Sequence, residues 1–339
     1  MERELTIVGG GLAGLSLAVA LTEKGIPVTV WEAGTFPRHR VCGEFICGVR
    51  PKTLENLGVA EDLSDALIHR KAKWYDPQGK TLYEGELPRN ALGLSRYALD
   101  LRLVEKVEAN GGRVRLGERW RGDSMDEGVV LASGRTAERT DWMGFKVHIS
   151  GDLPRDLTLY LGDGGYVGLS PVEGGYWNLC GLFRKRSNVR AGKEEILGAY
   201  ASACGMTAVE DLLDRAQVRP ESAAGVAGVS FALPEKDCAE MRIGDAWGVI
   251  PPFTGNGMSI AFESAECALE PILDWQAGRV DWNTARQKVS SQHNRLFRRR
   301  FIVANGLHPW LLRPSRRIWL RSLARLRILP FRSLFALTH

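Results

Sequence analysis

Residues 5–32, LTIVGGGLAGLSLAVALTEKGIPVTVWE, leave little freedom in how this chain can begin to fold. A short β-branched apolar run, 5–8, is followed by Gly9-x-Gly11-x-x-Gly14. Apolar residues Leu15, Leu17, Ala18 and Leu21 then run at helical spacing towards Gly25, and a second strand, 28–32, ends on Glu32. The order reads as β-α-β. The first glycine permits the tight turn, the second lets the backbone approach a pyrophosphate, and the third lets helix pack on strand; Leu12 and Ala13 lie inside the same turn. Glu32, followed by Ala33, is placed to take ribose hydroxyls, which suits the unphosphorylated ribose of FAD or NAD rather than NADP.

The chain beyond this start alternates in character. Residues 71–87 read as a hairpin turning at Asp76-Pro77-Gln78-Gly79. Leu99, Leu103, Val104 and Val107 mark a helix that stops at Gly111-Gly112 and leads into strand 113–116; residues 129–132 are another apolar strand. From Asp141 to about Leu233, short alternating strands with Gly-rich turns predict an antiparallel sheet, with helices near 192–216. MRIGDAW then returns to a buried strand, followed by a Gly-rich turn and a helix from about Met258 to Leu273. The pattern predicts an α/β fold, a doubly wound dinucleotide-binding domain (1–70, 93–140 and 236–275) with an inserted antiparallel-sheet α+β substrate domain (71–92 and 141–235) and a basic helical extension, 276–339.

Cysteine and charge usage narrow the chemistry. Six cysteines scattered through 339 residues fit reduced thiols and a cytoplasmic setting. His39, Cys42 and Cys47 lie close together, but four metal ligands cannot be assembled from them, so no metal is expected. Cys47, Cys180, Cys204, Cys238 and Cys267 read as packing residues. No apolar run is long enough to span a bilayer, and the start shows no secretory signal. Asp281 is the last acidic residue, and 13 Lys and Arg follow it, so the remainder of the chain carries 5 − 13 = −8. Within the tail, 313–339, the segment 315–329 places Arg317, Arg321 and Arg325 on one side and Trp319, Leu320, Leu323 and Leu326 mostly on the other. That amphipathic pattern suits an anionic membrane surface, or packing on the protein's own core, and would make the protein peripheral. No nucleic-acid-reading module accompanies the charge, so nucleic acid is not an expected partner.

The discriminating motif lies downstream, in RIGDAWGVIPPFTGNGMSIAFESA. A strand delivers Gly244-Asp245, and the turn through Pro252, Gly255, Asn256 and Gly257 opens a helix at Met258. A helix N-terminus there can stabilise the negative charge of a reduced flavin. Together with TIVGGGLAGLSLAVALTEKGIPVTVWE, PRHRVCGE and GLSRYALDLRL, it resembles the glutathione-reductase-type FAD fold over about 270 residues. Within that fold the chain is similar to the geranylgeranyl reductase and aromatic hydroxylase (p-hydroxybenzoate hydroxylase-like) superfamily. The resemblance implies that Arg96 reaches the phosphate–ribose region and Asp245 the ribityl or ribose hydroxyls, and that 252–258 lie along the flavin ring. It also places Arg38, Arg40, Val41, Cys42 and Gly43 by the cofactor, with Cys42 as a candidate proton donor.

Two departures from the resembled pattern shape the expected reaction. Ser133 in VVLASGR stands where the hydroxylases carry an aspartate, and no second Gly-rich fingerprint supplies a fixed NAD(P)H site. Electrons would come from transient NAD(P)H, an electron-donor protein or the substrate. In GGYVGLSPVEGGYWNLCGL, Gly168 and Ser170 replace two large aromatics of the reductases' Tyr-x-Trp-x-Phe-Pro motif, and the halogenases' Trp-x-Trp-x-Ile-Pro is missing. Tyr166, Gly168 and Ser170 alternate onto one strand face, as do Lys146 and His148, and that face lines the substrate pocket or is simply solvated. His148 also fits an ordinary strand histidine, and Glu44 a helix-start carboxylate or a proton donor. The expected activity is FAD-dependent oxidation of a hydrophobic small molecule, leaning to hydroxylation of an aromatic or polyketide-like ring. The alternatives are double-bond reduction and a non-catalytic flavin-binding protein that docks on membranes.

Overall fold

The computed structural model describes residues 3–136, 138–313, 315, 322 and 331–339. Strand β1 (Leu5–Val8) pairs in parallel with β2 (Val28–Glu32), Leu5 opposite Val28. Helix α1 (Leu12–Thr22) connects them, and every one of its residues is buried. A helix without a polar face needs cover on all sides, and the sheet, α3 (Arg96–Ala109) and α6 (Gly257–Gln276) supply it. The parallel sheet is completed by β6 (Arg113–Leu116) beside β2, and by β7 (Val129–Leu131) and β13 (Met241–Arg242) beyond β1. The last strand of this sheet thus arrives more than a hundred residues after its neighbour β7, so the first domain closes only when the chain returns.

The intervening chain builds an eight-stranded sheet. Its order is β12 (Gln217–Ala227), β8 (Trp142–Ser150), β11 (Tyr176–Arg184), β10 (Gly165–Val172), β9 (Leu157–Gly162), β4 (Leu67–Tyr75), β5 (Thr81–Gly93) and β3 (Phe45–Ile46). All pairings are antiparallel except β4 with β9. The hairpin starts earlier and ends later than its sequence pattern suggests, and the two-residue β3 ties the segment after Cys42 to the same sheet. Helices α4 (Ile196–Ala203) and α5 (Thr207–Arg215) cover its outer face, where Phe145, Val147, Phe183, Tyr200 and Leu212 form a second core.

Helix α7 (Trp282–Leu312) packs along α6, and α8 (Phe331–Thr338) returns against β5 and α7. Helix α2 (Pro51–Asn56) completes the first layer. The amphipathic segment 315–329 lies, apart from residues 315 and 322, outside the described residues. Among the described residues, no helix is long and apolar enough to cross a membrane.

Candidate functional site

The Gly-rich turn forms a cradle. Gly9 sits at φ 115°, and a methyl there would collide with the carbonyl of Ala132; one on Gly14 would collide with the carbonyl of Gly9. Those two glycines are demanded by the protein itself. Gly11 is different: a Cβ there would meet only the Ala132 carbonyl, at 3.9 Å, so the space in front of it is free. Glu32 accepts from Gly10 N at 3.0 Å and Gly34 N at 2.7 Å, and pairs with Arg38 at 2.8 Å and Arg40 at 3.4 Å. Burial pushes its carboxyl up, but the Gly34 amide and the two guanidinium groups outweigh that and hold it below the usual range. Arg96 makes a two-pronged bond to buried Asp100, at 2.7 and 2.8 Å. Three arginines thus face two carboxylates. Arg38 Nε and Arg40 Nε are buried donors without an acceptor; Arg40 Nε lies 3.3 Å from Asp100, but not in hydrogen-bonding geometry.

From this cradle a single cavity of about 630 Å³ runs between the two sheets. Gly11, Leu12, Ala13, Arg40, Arg96 and Asp245 line its near end. Val41, Cys42 and Gly43 form one side wall, opposite Pro252, Gly255, Gly257 and Met258 at the start of α6. Beyond them the lining is mostly apolar, with Trp74, Tyr166, Phe253, Phe331 and Phe335 prominent and Thr158, Ser170 and His339 among the polar exceptions. Burial raises the Asp245 carboxyl, with Arg96 and Arg135 opposing the rise.

The wall segment 42–44 is fastened to the inserted sheet by three consecutive contacts. Ser170 Oγ donates to Gly43 O at 2.6 Å, Asn178 Nδ2 donates to Cys42 O at 2.8 Å, and Lys146 Nζ donates to Glu44 Oε1 at 2.6 Å. The register explains why one face can do this: Ser170, Asn178 and His148 lie in one cross-strand row, and Gly168, Cys180 and Lys146 in the next. Glu44 is fully buried at φ 56°, a left-handed conformation unfavourable for a residue with a side chain. Its carboxylate holds it there, taking Lys146, His148 Nε2 at 2.6 Å and the backbone N–H of Arg96 at 3.1 Å. Burial pushes this carboxyl up, but Lys146 and His148 overcome it and keep it below the usual carboxylate range. His39, stacked on Tyr97 at 4.6 Å, completes the cluster 3.4 Å from Lys146. His39, Glu44 and His148 bring three ligand atoms within 4.8 Å of one another. Lys146 Nζ stands among them, 2.9 Å from His148, and already supplies the cationic charge that a metal would.

The family model described as an NAD(P)-binding Rossmann-like domain matches residues 7–54. A menaquinone reductase of Mycobacterium tuberculosis is 28% identical over 117 residues, 34% of this chain and 29% of the relative's length. That of Mycolicibacterium smegmatis is 25% identical over 90% of this chain and 83% of its own. Among solved structures, Klebsiella pneumoniae HpxO complexed with FAD and uric acid superposes at a TM-score of 0.77, with 16% identity, over 99% of this chain and 96% of its own. The flavin-dependent brominase Bmp2 superposes at 0.74, with 18% identity, over 99% and 93%. The chain has the FAD-binding fold of the flavin-dependent hydroxylases and halogenases. The p-nitrophenol 4-monooxygenase PnpA of Pseudomonas putida shares it at 0.70, with 14% identity, over 98% and 99%. The cradle of this flavoprotein fold fits the cofactor on its own geometry. Space is free in front of Gly11, the buried Arg40 Nε beside it has no acceptor, and Asp245 lines the same end of the cavity.

Not every residue expected at the cofactor or substrate reaches the cavity. Lys146 and His148 share a sheet face with Tyr166, Gly168 and Ser170, but only the latter three line it. Lys146 and His148 are turned instead into the Glu44 cluster, because a buried carboxylate needs hydrogen-bonding partners more than an apolar chamber does. Ser170, too, does more than widen the pocket: its hydroxyl anchors Gly43. Glu44 does serve a helix start, that of α3, through Arg96 N, while also holding the wall segment. Asn256 is fully buried, and its amide donates to Thr338 O, locking α8 to the start of α6. Cys47 and Cys180 were expected only to pack, yet both border the cavity. The residues that sequence reading missed are Asn178 and α8. Neither carries a motif, and only strand register and the chain's return bring them to the site.

Proposed function

We propose that this chain is an FAD-dependent oxidoreductase that hydroxylates an apolar aromatic or polyketide-like molecule. The observation that carries this reading is a continuous cavity, polar and arginine-rich where it meets the Gly-rich turn and mostly apolar beyond Cys42. FAD held there by the Gly-rich turn, the 41–43 wall and the start of α6 would supply two-electron chemistry. The residues do the rest. Gly11, Arg38, Arg40 and Arg96 hold the phosphates, and Glu32 and Asp245 take hydroxyls. The exposed amides at the start of α6 stabilise negative charge on the ring. The apolar lining excludes water and orients a flat substrate among Trp74, Tyr166 and Phe253. Gly168 leaves room beside the ring region: a Cβ there would meet nothing nearer than 3.7 Å. Electrons come from transiently bound NAD(P)H or a donor protein.

Double-bond reduction is the second reading, favoured by the similarity to menaquinone reductases and by Cys42 on the cavity wall. Burial raises the Cys42 thiol, so at neutral pH it keeps a proton that it could give. A purified preparation with a flavin spectrum and oxygen-dependent NAD(P)H oxidation stimulated by an alkylphenol supports hydroxylation. Oxygen-independent turnover of a polyprenyl quinone by dithionite-reduced protein establishes reduction instead. A colourless protein that takes up no FAD overturns both. In hydroxylation, Cys42→Ser should keep turnover within about two-fold; as the proton donor, its loss should cost on the order of a hundred-fold.

A further inference from the structure

Helix α7 has two faces of opposite character. His293, Phe297, Phe301, Ala304, His308 and Leu311 are buried. On the other side Arg295, Arg299, Ile302, Gly306, Trp310 and Arg313 are all exposed. At ~100° per residue these six fall within an arc of about 80° and run for about 27 Å. Ile302 and Trp310 are 52% and 45% exposed, unusual for such side chains between arginines. Among the described residues, Arg295, Arg299 and Arg313 form no ion pair, whereas Arg300, off the stripe, pairs with Glu263 at 2.5 Å. No acidic residue follows Asp281, so this part of the chain brings no counter-charge of its own. Trp310 has a second role: with Leu307 and Leu311 it lines the cavity, so the stripe and the chamber share one side chain.

We propose that the exposed α7 stripe docks on an anionic bilayer surface, with the Trp310 wall of the cavity on the side of the lipid. Arginines pair with headgroup phosphates, while tryptophan and isoleucine enter the interfacial layer, and the stripe offers both at once. A nucleic acid would use the arginines but gain little from Ile302. Docking in this way would hold the cavity close to a bilayer that dissolves apolar substrates. This rests on the reading of an apolar substrate given above.

The test is co-sedimentation of the FAD-loaded full chain with phosphatidylcholine vesicles and with mixed phosphatidylcholine–phosphatidylglycerol vesicles. Two variants accompany it, Arg295→Ala/Arg299→Ala/Arg313→Ala and Ile302→Glu. All four positions are exposed, so flavin content and melting temperature should stay as in the parent. The parent should pellet with the mixed vesicles and not with phosphatidylcholine alone. The triple variant should bind about a hundred-fold more weakly, roughly five-fold per arginine, and Ile302→Glu on the order of ten-fold more weakly. A parent that stays in the supernatant with mixed vesicles, or a triple variant that binds as the parent does, overturns the proposal. Flavin absorbance in the same tubes separates the two readings. Coloured protein that ignores vesicles refutes docking alone, and colourless protein that pellets refutes the flavoenzyme reading alone.

Discussion

Gly11 borders a space that the protein's own packing leaves open. Because a methyl at this position meets nothing closer than 3.9 Å, Gly11→Ala should leave the melting temperature of the cofactor-free protein within a degree or two. It should nonetheless weaken FAD binding by about ten-fold or more, read by quenching of flavin fluorescence on titration. Unchanged affinity would remove the pyrophosphate from this turn. Glu44 and Lys146 pose the opposite case, a buried pair with no solvent to take over a lost partner. Lys146→Met should cost about 3–5 kcal/mol in chemical denaturation, since the carboxylate is left uncompensated. Glu44→Gln/Lys146→Met should recover much of that loss, and a double variant no better than the single would show that the charge is not what matters. The sign with pH follows from the lowered Glu44 carboxyl: its contribution is present above the unfolded value near 4.5 and is lost as pH falls through the lower folded value.

At the scale of elements, α8 decides how far the cavity extends. Phe331 stacks on Tyr83 at 4.3 Å, and Phe335 lies between it and His339, so the helix forms one end wall. Phe335→Ala should destabilise the protein by about 3 kcal/mol and lengthen the chamber. The measurable consequence is a shift in the ratio of kcat/KM for long over short 4-alkylphenols, upwards by several-fold. A fall in stability with no change in that ratio would make the wall a packing surface only. Strand β10 shows how an element can be read correctly and still have a further use. The alternation of Tyr166, Gly168 and Ser170 was plain in the sequence, as was their common face. That Ser170 grips Gly43 depends on a loop 127 residues earlier being laid across that face.

For the whole molecule, acid should loosen the fold before carboxylates are lost. His293 and His308 are buried, and desolvation lowers each to about 4 from 6.5. Below 6.5 the unfolded chain binds protons that the folded chain refuses, so stability falls progressively between pH 6.5 and 4. Each histidine contributes a loss on the order of 3 kcal/mol by pH 4. Urea midpoints across that range should decline, and His308→Gln should flatten the slope; a slope unchanged by the substitution would place the effect elsewhere.

Much of this architecture was written locally. The Gly9-x-Gly11-x-x-Gly14 turn, Glu32 and the turn opening α6 each depend on residues within one β-α step, where backbone sterics and hydrogen bonding act over short spans of chain. The Gly-rich end of the cavity was therefore legible in the sequence. HRVCGEFICG marks the boundary of that legibility. Cys42 and Gly43 line the cavity, as their motif suggested, whereas the gathering of His39 and Glu44 with His148 was not visible in the stretch itself. The meaning of Glu44 lay outside it, because its partners Lys146 and His148 lie 102 and 104 residues away and were matched to it by strand register. Burial supplied the rest. A carboxylate removed from water takes whatever cations the fold brings near, and only the closed tertiary structure decides which face of β8 turns inward to meet it.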